Sequence, residues 1–235
     1  MNYDLERMQT DKPADWIAKV AAQNPATLLP SGNVRVFGRG AFVNVAAPAK
    51  DSTDAAGTIV KGKFGMTLLF PPGYDLTALR KARADLIPTA FPKNPQGIGL
   101  KDPIKDQADK VAPAEGGANP QGKTLSGFVP GAFYVAPNAN LDFPPTLQEF
   151  VNGAPSGVFG TTEERVAKFY SGAWYMVTLS AFHGRNPQNP NVFYGLSSVL
   201  KVGDDRRFSG GGGDGAEAYA GINIEPDGIN PESLF

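Results

Sequence analysis

The residues here with the most chemical potential are flat rings and cations placed two positions apart. The run 173–182 reads AWYMVTLSAF and alternates. A period of two is that of a β-strand. Tyr175, Val177, Leu179 and Ala181 point to one side and read as core. Trp174, Met176, Thr178, Ser180 and Phe182 point to the other, where two rings bracket two hydroxyls. Such a face suits a flat, partly polar guest such as an unpaired nucleobase. The competing reading is a face covered by another layer of the same protein. In 34–46, Arg35, Phe37 and Arg39 share one side: guanidinium groups to neutralise phosphates and a ring to stack a base. The competing reading is a solvated edge with one incidental ring. Lys61 and Lys63 pair on a face of the following strand, as nucleic-acid contacts or as edge protection. Phe133 and Tyr134 point to opposite faces, and Tyr134 is the candidate outside the core. This chemistry is non-covalent: stacking, and ion pairing that releases counterions.

Several elements must position these groups. The alternating run pairs with a second one ending near Gly203, across a proline-rich turn, and Asp204-Asp205 makes an acidic turn after it. Val34 to Ala46 is a strand in which Gly38 and Gly40 predict a bulge or bend. Ile59 to Phe70 is the next strand, stopped by Pro71-Pro72-Gly73. A helix follows over Leu76 to Leu86, capped by Asp75. Residues 93–126 are polar and predict an open loop, mobile over 112–121. Phe128 to Ala136 returns to strand, 137–151 is an irregular crossing, and Thr162 to Ala167 suits a helical turn. Near the N-terminus, Ala14 to Gln23 is a short amphipathic helix with Asp11 as cap and Pro13 in its first turn.

Composition excludes much other chemistry. The 235 residues contain no cysteine, so neither a disulfide framework nor a zinc–thiolate site is available. His183 is the one histidine, and no nucleophile-elbow pattern accompanies it. Ser209 opens a glycine-rich stretch, but no Lys-Ser/Thr follows to make a phosphate loop. No catalytic residue, metal or cofactor is expected, and the chain reads as a non-enzyme. A carboxylate pair meeting only in space is the enzyme alternative left open. No apolar run is long enough for a membrane span, and MNYDLERMQT lacks the apolar stretch of a signal peptide. The net charge of −1 hides an asymmetry. Residues 204–235 carry two arginines against seven acids, which leaves 20 bases and 16 acids before them. A mildly basic body with an acidic tail fits a nucleic-acid partner.

Four segments, in order, resemble the OB-fold single-stranded DNA-binding proteins of bacteriophages. They are Lys63-Phe64-Gly65-Met66-Thr67-Leu68-Leu69-Phe70-Pro71, then Phe133-Tyr134-Val135, then Tyr170-Ser171-Gly172-Ala173-Trp174, then Tyr194 to Asp205. A glycine-rich linker and an acidic tail with a terminal Phe235 complete the likeness. Pro72 stands where the family pattern leads one to expect a lysine. The resemblance implies a mainly β fold, an OB-like five-stranded barrel with one packed helix, long loops and a disordered C-terminal tail. The expected parts are an N-terminal arm (1–30), a binding domain (31–208) and a linker with acidic tail (209–235). It also implies sequence-independent binding of single-stranded DNA during phage replication, recombination or repair, in the cytoplasm of the infected bacterium. The DNA-binding candidates are then Arg35, Phe37, Arg39, Lys61, Lys63, Tyr134, Trp174 and Phe182. Glu225, Asp227, Glu232 and Phe235 would recruit a replication protein, polymerase or helicase. The sequence leaves room for a homodimer, and a β-rich phage tail or capsid protein is the other class left open.

Overall fold

A computed structural model describes residues 8, 10–54, 56–151, 153–184 and 190–208. In chain order it contains α1 (Ala14–Gln23), β1 (Thr27–Leu28), β2 (Val34–Asn44), β3 (Ser52–Thr53), β4 (Ile59–Val60), β5 (Phe64–Leu69), α2 (Thr77–Ala90), β6 (Lys105–Asp106), β7 (Phe133–Val135), β8 (Asn138–Ala139), β9 (Thr146–Val151), β10 (Ala154–Gly157), α3 (Thr162–Lys168), β11 (Trp174–His183) and β12 (Val192–Gly203).

Five strands close on themselves. β2 pairs with β11, β11 with β12, β12 with β8, β8 with β5, and β5 returns to β2. Only the β12–β8 step of this ring is parallel. A closed five-stranded barrel with such a crossover is the OB architecture. The odd residues of β11 face inward: Tyr175, Val177 and Leu179 are fully buried with Val34, Val36, Leu68, Phe70 and Val199. Gly38 and Gly40 act differently from the expected bend. A Cβ on Gly38 would lie 2.7 Å from the Leu69 carbonyl oxygen, and one on Gly40 would lie 2.6 Å from the Tyr175 ring. They let the wall close over large side chains. The register breaks later, between Ala41 and Asn44, where Phe42 takes φ 49°.

Among the described residues there are three α-helices: the expected packed helix, α2, the N-terminal α1, and α3 where a helical turn was expected. α1 has the bounds read from sequence, but Pro13 is its N-cap. Asp11 is drawn off to Arg206, whose guanidinium it accepts at 2.7 Å. α2 starts beside Asp75, whose carboxylate accepts the Thr77 N–H, and runs through Pro88 to Ala90. α3 carries a reciprocal capping box between Thr161 and Glu164. The segment expected as an open loop is folded onto the barrel. Gln107 is fully buried there: its Nε2 donates to the carbonyls of Phe70 and Phe133, and its Oε1 accepts the Val129 N–H. The crossing after Pro144-Pro145 holds a β9–β10 hairpin, with β9 running parallel to β12.

Candidate nucleic-acid interface

The even side of β11 faces out of the barrel. Cross-strand register extends that face: Met176 lies opposite Leu200, Thr178 opposite Ser198, Ser180 opposite Gly195 and Phe182 opposite Phe193. On the next strand Ser198 and Leu200 meet Thr146 and Gln148. These residues floor two adjoining depressions. The first, about 590 Å³, lies between α1 and the β9–β10 hairpin. Met176 and Leu200 floor it, Trp16 and Phe150 wall it, and Arg35 stands in its lining. The second, about 770 Å³, is lined by Ser180, Phe182, Gly195, Asn138, Phe143 and Lys63. Thr178 and Ser180 are successive same-face positions, so the two depressions join along one strand. A third hollow of about 340 Å³ shares Asn138 with the second and brings in Phe193, Lys101 and Lys105.

The joined track carries rings, hydroxyls and cations. Phe182 and Phe193 lie with centroids 5.8 Å apart and stay 41% and 38% exposed. Phe150 and Phe143 are exposed as well. Arg35, Lys63, Lys101 and Lys105 are exposed, and among the described residues none has a carboxylate partner. Rings with an open face and unneutralised cations are what a single strand of nucleic acid needs: stacking platforms beside phosphate contacts.

The other end of the same face is sealed. Trp174 and Phe37 are fully buried, stacked at 5.1 Å and 12°, with Trp16 edge-on to both. α1 covers them, burying Ile17 against the pair. The expectation that Trp174 and Phe37 stack bases is therefore corrected: they are the core beneath a helix. Arg39 is corrected too. Its guanidinium is fully buried and donates to the carbonyls of Gly172, Met8 and Arg206 at 2.7, 2.5 and 2.8 Å. Asp205 lies 3.5 Å from it, and the Phe208 ring covers it at 4.4 Å. Burial pulls the Arg39 pKa down to about 10 against the raising effect of Asp205, so it remains a cation at neutral pH. Asp205 is the matching anchor. Trp174 Nε1 donates to it at 2.7 Å, and so do the Thr10 hydroxyl and the backbone N–H groups of Asp11 and Arg206. Burial alone would raise the Asp205 pKa; the hydrogen bonds from Thr10 and Trp174 outweigh it and hold the carboxyl below its ordinary value.

Tyr134 is likewise buried, edge-on to Phe128 at 5.6 Å under the folded 107–129 segment. Lys61 is exposed but pairs with Asp51 at 2.7 Å in the separate β3–β4 hairpin. Of the eight candidates, the track brings together Arg35, Lys63 and Phe182. Glu225, Asp227, Glu232 and Phe235 lie outside the described residues. Trp16, Phe143, Phe150, Phe193 and Gly195 were missed. Hairpin register opposite Phe182 was a usable signal for Phe193 and Gly195. Phe143 and Phe150 lie in a crossing without readable periodicity.

No family model matches the sequence, and no curated protein matches it significantly. Among solved structures, the single-stranded DNA-binding protein from bacteriophage Enc34 superposes with a TM-score of 0.54 at 20% identity, covering 83% of this chain and 94% of that one. The same protein in complex with ssDNA gives 0.54 and 20%, over 79% and 94%. The bacteriophage T7 single-stranded DNA-binding protein gp2.5 gives 0.43 at 14%, over 83% and 96%. The expected likeness to phage single-stranded DNA-binding proteins thus holds at the level of fold, and what this chain shares with the Enc34 protein is that fold, here an OB barrel.

Proposed function

We propose that this protein binds single-stranded DNA largely without regard to sequence, as a binding protein and not an enzyme. The observation that carries the reading is the open track over β11 and β12, where Phe182 shares a lining with Lys63, Phe193 shares one with Lys101 and Lys105, and Arg35 stands in the adjoining depression. The Enc34 protein, alike in fold, has been solved with ssDNA bound, which supports the same ligand here. The setting we propose is phage DNA replication, recombination or repair in the cytoplasm of an infected bacterium. There the acidic tail recruits a polymerase or helicase and competes with DNA for the cations.

The test is titration with oligo-dT while following tryptophan fluorescence. Trp16 lines the track and Trp174 does not, so quenching should disappear in Trp16→Phe and persist in Trp174→Phe. Affinity should fall steeply with salt. Salt-insensitive binding, or none at low salt, would overturn the reading.

A further inference from the structure

Resting on that reading, we propose that His183 is a switchable cation of the track: in mild acid it takes up a proton from solvent as single-stranded DNA binds, so that affinity rises as pH falls. The observation that carries this is the place of the chain's one histidine. Strand parity groups it with the inward side of β11, but β11 ends there and the residue is exposed. It lines the depression of about 770 Å³ together with Phe182, Ser180 and Lys63. Its ring stands edge-on to Phe91 at 6.1 Å, and Nδ1 lies 3.4 Å from the Gly184 carbonyl oxygen. Among the described residues no ion pair includes it.

The charges around it are of kinds that do not switch. Lys63 is the only Lys, Arg, Asp or Glu in the same lining. Lys101, Asp102 and Lys105 lie in the neighbouring hollow, which Val192 shares, and Val192 is the residue paired with His183. Phe91, at the end of α2, brings no charge. Lysine and aspartate side chains do not ordinarily titrate between about pH 5.5 and about pH 8, whereas an imidazole does. A phosphate anywhere in this depression lies well within a Debye length of His183 at low salt, about 30 Å at 0.01 M. The neutral ring adds no charge to the track and the imidazolium adds one, whether it touches the phosphate or only faces it. By reciprocity, bound DNA favours the protonated ring by the same factor.

The experiment measures affinity for oligo-dT, whose bases take up no proton in mild acid. Fluorescence anisotropy with a dye that does not titrate is read at about pH 5.5 and about pH 8, in low salt. Wild type should bind about threefold more tightly at the lower pH, the worth of one exposed ion pair. The slope of log affinity against log salt should be steeper there by up to about 0.7. His183→Gln should remove both differences. His183→Lys should bind equally at the two pH values, and at the higher one as tightly as wild type does at the lower. Equal wild-type affinities at the two pH values overturn the proposal while leaving the track intact. A pH dependence that survives His183→Gln overturns it too, because the proton then goes to another group. Failure to bind at either pH would remove the track as well. His183 is exposed, and the two variants read the same site by loss and by gain of charge.

Discussion

Trp174 and Phe182 occupy the same face of the same strand, and the structure assigns them opposite tasks. Replacing Phe182 by alanine removes a ring that is 41% exposed and packs in part against Phe193. Base–aromatic stacking is lost at about 1–3 kcal/mol per base on alanine substitution. One ring face is already taken by Phe193, so about 1.5 kcal/mol is the fitting value, roughly a tenfold rise in Kd. The folding cost is small, about 1 kcal/mol, because the ring is only partly buried and mainly an aromatic pair is lost. Replacing Trp174 by phenylalanine keeps a ring against Phe37 but deletes the indole N–H and leaves a small cavity where the second ring of the indole lay. That N–H is one of the donors on the buried Asp205 carboxylate. Hydrogen bonds to charged groups are worth about 1.5–3 kcal/mol, so the urea midpoint should drop clearly. Affinity for oligo-dT should hold within about twofold, since the indole lies under α1. Anisotropy titration and urea denaturation on both variants make the test. A tenfold affinity loss in Trp174→Phe with unchanged stability, together with a silent Phe182→Ala, would refute the division of this face.

The Arg39–Asp205 anchor supplies a second prediction: Asp205→Ala leaves a buried guanidinium without its carboxylate and should destabilise by about 3–5 kcal/mol, read from denaturant midpoints. Because the folded Asp205 pKa lies below that of the unfolded chain, its contribution is fully present above about pH 4 and is lost as pH falls through the folded value. Stability measured against pH should therefore fall at the acid end more steeply in wild type than in Asp205→Asn. Arg35→Gln should reduce the slope of log affinity against log salt by about 0.7, as one phosphate contact fewer requires; an unchanged slope would take Arg35 off the track. Gly38→Ala should cost about 1–3 kcal/mol of stability by forcing a methyl against the Leu69 carbonyl, with no effect on affinity per folded molecule. Deleting 209–235 removes five acids and no base, and should tighten binding to oligo-dT at low salt; unchanged affinity would end the competing-tail idea.

Local pattern was enough for the barrel. Alternation in 173–182 put Tyr175, Val177 and Leu179 inside, where they are. It was not enough to tell which outward rings stay open, because cover comes from segments distant in sequence. α1 lies more than 150 residues before Trp174, and Tyr134 is covered by a stretch whose polar composition gave no sign that Gln107 would bury its amide in three hydrogen bonds. Asp205 looked like a turn residue. Its role appears only when Thr10, Trp174 and Arg39 are brought around it.

One piece of arithmetic does connect sequence to site. Ten helical residues span about 15 Å, while ten strand residues span about 33 Å. α1 and β11 are each ten residues long, so the helix cannot cover the whole strand. Anchoring decides which half it takes. The residues just before α1 are tied to Asp205 through Thr10 and Asp11, and Asp205 follows the end of β12 that pairs with the start of β11. The helix must therefore lie over Trp174, and cover gives way towards Thr178. The hydroxyls of Thr178 and Ser180 begin where the helix runs out, which is why one end of this face carries a tryptophan sealed in the core and the other a phenylalanine left in solvent.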